Sequence, residues 1–133
     1  MSTDFDDDIP EPTGELTLQT LAMPADTNPN GDIFGGWLLA QMDLAGAMMA
    51  RRLTKGRITT VAVGDMTFLR PIPVGSIVSC YCDIVESGRT SVRVLVDVWI
   101  SLADNPEKIK VTEGEFVFVA IDDKGNTRSF DAS

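Results

Sequence analysis

One stretch decides what this chain can become. From Asn28 to Leu53 it reads NPNGDIFGGWLLAQMDLAGAMMARRL: turn residues, two adjacent glycines, then a long apolar run with one acid, Asp43, at its centre. The pattern predicts a helix from about Gly36 to Leu53. No proline interrupts it, and Gly46 is its main weakness. Arg51, Arg52 and Lys55 crowd its end, where cations suit the helix dipole. Trp37, Leu38, Leu39, Met42, Leu44, Ala47, Met48 and Met49 make it apolar on nearly every side. Such a helix is expected to be buried all round, so something must wrap it.

The rest of the chain supplies a wrapper. ELTLQTLAM (15–23) predicts a first strand ended by Pro24. RITTVAVGDMTFLRP predicts a second, running to Pro71, and SIVSCYCDIVE a third with Val78, Cys80, Cys82 and Ile84 on one face. TSVRVLVDVWISL alternates cleanly, with Val92, Val94, Val96, Val98 and Ile100 on one face and Arg93, Asp97 and Ser101 on the other. KVTEGEFVFVAID predicts the last strand. Short connections between strands favour antiparallel pairing. The expected fold class is α+β: a curved antiparallel five-stranded sheet around one long helix. One such sheet cannot cover a helix on all sides, so a second copy of the chain is expected to complete the burial.

Composition narrows the function. The chain has 133 residues, one ordinary domain. Six of its 20 acids, Asp4, Asp6, Asp7, Asp8, Glu11 and Glu15, lie in the first 15 residues without a base among them, so residues 1–14 read as a disordered acidic tail and 15–133 as a single domain. Without those six, 14 acids face 11 bases, a nearly neutral body, and no dense basic face suggests nucleic acid. The N-terminus has no apolar targeting segment and no run is long enough to span a bilayer, so no membrane insertion is expected and the default location is cytoplasmic. Cys80 and Cys82 read as small buried thiols of a reducing compartment. The chain contains no histidine, which excludes Ser-His-Asp and Cys-His triads and the HExxH zinc site. Acid–base chemistry must then fall to carboxylates, lysine, tyrosine, cysteine or the backbone.

Three places could carry chemistry. Asp43 has small helical neighbours on its face, Gly46, Ala47 and Ala50 among them. It either faces solvent, pairs with an arginine, or serves a cleft that a thin ligand can enter. The glycines of NGDIFGGW precede a helix, whose first-turn N–H groups are unpaired and stabilise anions, including the oxyanion of an attacked carbonyl. The same glycines could simply permit a tight turn. In ESGRTSVRV, Gly88 permits a turn that presents Arg89, Thr90 and Ser91, a cation and two hydroxyls suited to phosphate. An ordinary solvated turn is the plain alternative, and Arg70 before Pro71 shares that ambiguity.

The motifs MPADTN, NGDIFGGW, QMD, MTFLRPI and GRTSVRVLVDVW, taken together, resemble the hotdog-fold acyl-CoA thioesterases of the bacterial YciA type, and they are similar to the mammalian cytosolic acyl-CoA hydrolases. The resemblance spans roughly residues 15–122. It implies hydrolysis of acyl-CoA to a carboxylic acid and CoA, with CoA as part of the substrate and no cofactor or metal. It also implies active sites at a dimer interface, in a homo-oligomer with the dimer as minimal unit and a hexamer, a trimer of dimers, as the expected assembly. By the same resemblance Asp43 activates water or attacks the thioester directly. Asn28 of the other subunit positions water or substrate, the Gly36 N–H polarises the carbonyl, and Thr60 orients Asp43. Arg89, Thr90 and Ser91 hold the nucleotide phosphates. Two alternatives differ in class. A dehydratase of this fold would use a histidine, which the chain lacks; a catalytically silent acyl-CoA-binding regulator would bind without turnover.

Overall fold

The computed structural model describes residues 11–102 and 104–131. The first ten residues of the expected acidic tail therefore lie outside the described residues. The elements run β1 (Glu15–Leu21), α1 (Gly35–Thr54), β2 (Ile58–Val63), β3 (Ile77–Ser87), β4 (Ser91–Leu102) and β5 (Asn105–Ala120). The strands form one sheet in the order β1-β3-β4-β5-β2, and every neighbouring pair is antiparallel. β1 and β2 are therefore the two edges. The connection between them must cross the sheet, and α1 is that crossing.

The side of α1 that meets the sheet carries Leu38, Met42, Ala45, Gly46 and Ala50, all buried. Against it stand Val92, Val94, Val96 and Val98 of β4 and Phe116 and Phe118 of β5, each 0–1% exposed. Gly46 sets the approach distance. A Cβ there would lie 3.0 Å from the Phe118 ring and 3.4 Å from Val96. The glycine that weakens the helix on propensity is thus the one that lets it settle onto the sheet.

Within the protomer α1 is buried on one side only, as expected of a single sheet, with Leu44 and Met48 on the far side about half exposed. The structure corrects several expectations. β2 ends at Val63 and not near Pro71. Beyond Gly64, whose N–H reaches the Glu115 carbonyl, the chain leaves the ladder and follows β5 through only Leu69 N–H to Val111 O and Thr112 Oγ1 to Thr67 O. β5 begins at Asn105, five residues before the expected Lys110. Ile84 shares the face of Val78, Cys80 and Cys82 but is exposed, just before β3 bulges between Ile84 and Glu86. Asp97 stands on the face opposite the valines, as the alternation predicts, but is buried there beneath the Thr13 N–H and the Lys110 ammonium, so the end of the acidic segment (Glu11–Gly14) lies on the sheet's outer face.

After β5 the chain folds back as a strap. Arg128 donates from Nε to Ile121 O, from Nη1 to Thr54 O and from Nη2 to Arg57 O, at 2.9–3.1 Å. One guanidinium thereby satisfies a carbonyl at the C-terminus of α1, where unpaired carbonyls otherwise face water.

Cys80 and Cys82 are free and fully buried on β3. Burial pushes their thiols up to about 12 and about 11, because a thiolate loses its hydration there. At neutral pH both are protonated and inert. A thiol reagent should titrate neither cysteine in the native protein and both in denaturant. Gly46→Val should lower stability by about 1–3 kcal/mol, read by denaturant melts, because the added methyls drive into Phe118.

Candidate active site

Asp43 sits on the flank of α1 that faces β2. It is half-buried, and its Oδ1 accepts a hydrogen bond of 2.7 Å from Thr60 Oγ1. No arginine or lysine pairs with it among the described residues. This bond ties the middle of the helix to the edge strand, and it leaves Oδ2 open. The edge itself is bare: Thr59 through Val63 are all exposed, Val61 and Val63 by about half.

The start of the same helix is uncapped. Phe34 occupies the N-cap with no side-chain hydrogen bond, and no acid lies in the first turn. The Gly35 and Gly36 N–H groups have no partner among the described residues, and both residues are exposed. Neither glycine has positive φ, and a Cβ at either would make only ordinary contacts of 3.5–3.6 Å at closest. Nothing inside the protomer therefore demands glycine at 35 and 36. Gly36 and Asp43 are seven residues apart, nearly two full turns, so they share one face with roughly 10 Å of helix axis between them. The aspartate side chain leans toward the helix N-terminus and shortens that gap. Beside the helix start opens an apolar cavity of about 340 Å³ lined by Ile33, Gly35, Leu38, Phe68, Leu69 and Val111, with Arg70 on its wall.

Asn28 lies in the loop before the helix. Its Oδ1 accepts the N–H groups of Asn30 (2.9 Å) and Asp32 (3.2 Å), an Asx turn that shapes the NPNGD loop. Only its Nδ2 amide remains to meet anything else. No hydrogen bond joins it to Asp43 or Thr60 within the chain.

The turn of Gly88, Arg89, Thr90 and Ser91 is closed by Gly88 N–H to Ser91 O at 2.8 Å. Val92 and Thr60 share one rung of the sheet through Phe118, two strand spacings or roughly 10 Å apart, so the turn stands close to the Asp43–Thr60 pair. Arg70 does not. It lies beside the Val111 region of β5 and also lines an outer-face cleft with Tyr81 and Trp99. Eight residues of β4 separate that level from Ser91, roughly 27 Å. Within one protomer Arg70 and the 88–91 turn cannot grip the same phosphate. Sequence reading missed the Arg128 strap, whose partners are three backbone carbonyls that no residue pattern announces. Among the described residues no group of three His, Cys, Asp or Glu side chains is placed to hold a metal ion.

The model of the thioesterase superfamily matches residues 30–101. The acyl-CoA thioester hydrolase YciA of Salmonella typhimurium is 52% identical over 120 residues, covering 88% of this chain and 90% of the relative. The crystal structure of a hexameric thioesterase from Yersinia pestis superposes with a TM-score of 0.89 at 46% identity, covering 92% of this chain and 100% of that one. That of a hexameric broad-specificity acyl-coenzyme A thioesterase gives 0.86 at 46% identity, covering 92% and 84%. The chain belongs to the thioesterase superfamily, in its hotdog-fold, YciA-like branch.

Proposed function

We propose that this protein hydrolyses acyl-CoA thioesters to carboxylic acid and CoA, acting as a homo-oligomer in the cytoplasm with no cofactor. The observation that carries the reading is one helix face bearing both an anchored carboxylate and unpaired N–H groups (Asp43 held by Thr60, and the Gly36 amide two turns away). YciA of Salmonella is named for this reaction, and the matching crystal structures are described as hexamers.

The thioester carbonyl oxygen accepts the Gly36 N–H, where the helix dipole favours growing negative charge. A water between carbonyl and Asp43 gives its proton to Oδ2, the oxygen Thr60 leaves open, and its own oxygen bonds to the carbonyl carbon. Collapse of the tetrahedral oxyanion breaks the carbon–sulfur bond, and the CoA thiolate takes the proton back from Asp43. Asn28 can contribute only as a donor, since its carbonyl oxygen is committed to the loop. The bare β2 edge and the apolar outer side of α1, with Leu44 and Met48, are the surfaces a second copy covers. That copy walls the cleft and brings its own Asn28. The acyl chain enters the apolar cavity beside Gly35, and Arg89, Thr90 and Ser91 bind the phosphates.

Release of CoA followed with a thiol reagent tests this, and the protein's own buried thiols do not interfere. Steady turnover is expected; tight binding of acyl-CoA without thiol release would instead mark a silent binder. Asp43→Ala should lower kcat by roughly 10²–10⁴ and leave CoA binding intact, whereas full activity in that variant removes the assignment. Asn28→Ala should cost less. Thr60→Val keeps the shape and deletes the donor to Asp43, so kcat should fall roughly tenfold with little change in melting temperature.

A further inference from the structure

The strap that follows β5 ends against the turn that presents Arg89. Phe130 packs its ring on the core and donates its backbone N–H to the Arg89 carbonyl at 3.1 Å. One residue on, the Thr90 carbonyl accepts the Ala120 N–H at 2.8 Å. Both carbonyls of the turn are thus drawn inward. In a trans peptide the N–H points opposite to the C=O of the same unit. Pulling the Arg89 carbonyl toward Phe130 therefore turns the Thr90 N–H away from the strap, in the turn that carries the exposed Arg89. That N–H has no partner among the described residues. Arg128, two residues before Phe130, fixes the strap to Ile121, Thr54 and Arg57.

We infer that Phe130 is a positioning residue for nucleotide recognition: its N–H holds the Arg89 carbonyl inward, so that the Thr90 amide joins Arg89 as a preformed anion site for the phosphates of CoA. This rests on the reading that the 88–91 turn binds those phosphates. Without the Phe130 contact the peptide between Arg89 and Thr90 is free to rotate, and ordering it costs binding energy each time CoA arrives. The strap acts on affinity for the nucleotide end and not on the thioester chemistry at Asp43.

The test compares two substrates carrying one acyl group: acyl-CoA, and the N-acetylcysteamine thioester, which lacks the nucleotide. Phe130→Pro deletes the donor N–H, and Phe130→Leu keeps both the donor and an apolar side chain. Phe130→Pro should raise KM for acyl-CoA roughly tenfold while kcat/KM for the short thioester stays within about twofold. Phe130→Leu should behave as the unaltered protein. Equal losses on both substrates would show a merely structural role and overturn the inference, as would an unchanged KM in Phe130→Pro. Arg89→Ala separates the layers. If it abolishes the preference for CoA while Phe130→Pro preserves it, the strap idea alone falls. If Arg89→Ala preserves the preference, the phosphate reading of the turn falls and the inference with it.

Discussion

Everything in this protomer depends on how closely α1 can lie on the sheet. With β1 and β2 at opposite edges, the crossing must traverse the concave face, and the face is already filled by valines and phenylalanines. Gly46 admits the Phe118 ring at 3.0 Å from where a Cβ would stand. That contact fixes helix height and rotation together. Rotation then decides what each side of α1 does: Leu38, Met42 and Ala45 go down, Leu44 and Met48 go out, and Asp43 goes sideways to the β2 edge, where Thr60 meets it. The site is a by-product of a packing solution, since the same rotation that buries the apolar side leaves Gly36 and Asp43 in line on the flank.

The electrostatics are local. A net charge of −9 opposes an anionic nucleotide at long range, yet beyond about a Debye length of ~8 Å salt removes most of that repulsion. What such a chain can offer an anion is local: the exposed Arg89, with Thr90 and Ser91 in the same turn, and backbone N–H groups with no internal partner. Backbone donors at an uncapped helix start and at a braced turn suit this chain well, because they attract anions at any pH and need no histidine. The protomer is also visibly unfinished. A bare edge strand and an exposed apolar helix side flank Asp43, so the surfaces that ask for a second copy border the cleft beside it.

Much of this was legible in the sequence. The long, proline-free apolar run GWLLAQMDLAGAMMARRL placed the helix to within a residue at each end, and the alternation of SVRVLVDVWISL placed β4 and its inward valines. The motifs around Asn28, Gly36 and Asp43 pointed to one chemistry. Periodicity failed where it had no force: the MTFLRPI segment is extended but lacks a ladder, and extended chain looks the same in sequence whether or not a neighbour pairs with it. At Asp97 and Ile84 it assigned the face, but not what later covers or uncovers that face.

The amino-acid order by itself determined the element types, the single acid on the helix, the absence of histidine and hence the class of chemistry available. These are local properties, set by spacing and side-chain type. Only the tertiary structure decided that Thr60 reaches Asp43, that Gly46 is a packing residue, that Arg70 and Arg89 stand at opposite ends of the sheet, and that Arg128 and Phe130 brace the helix end and the 88–91 turn. Each of those joins residues far apart along the chain, and many use backbone carbonyls and N–H groups that every residue carries alike, so no reading of side chains in order could have singled them out.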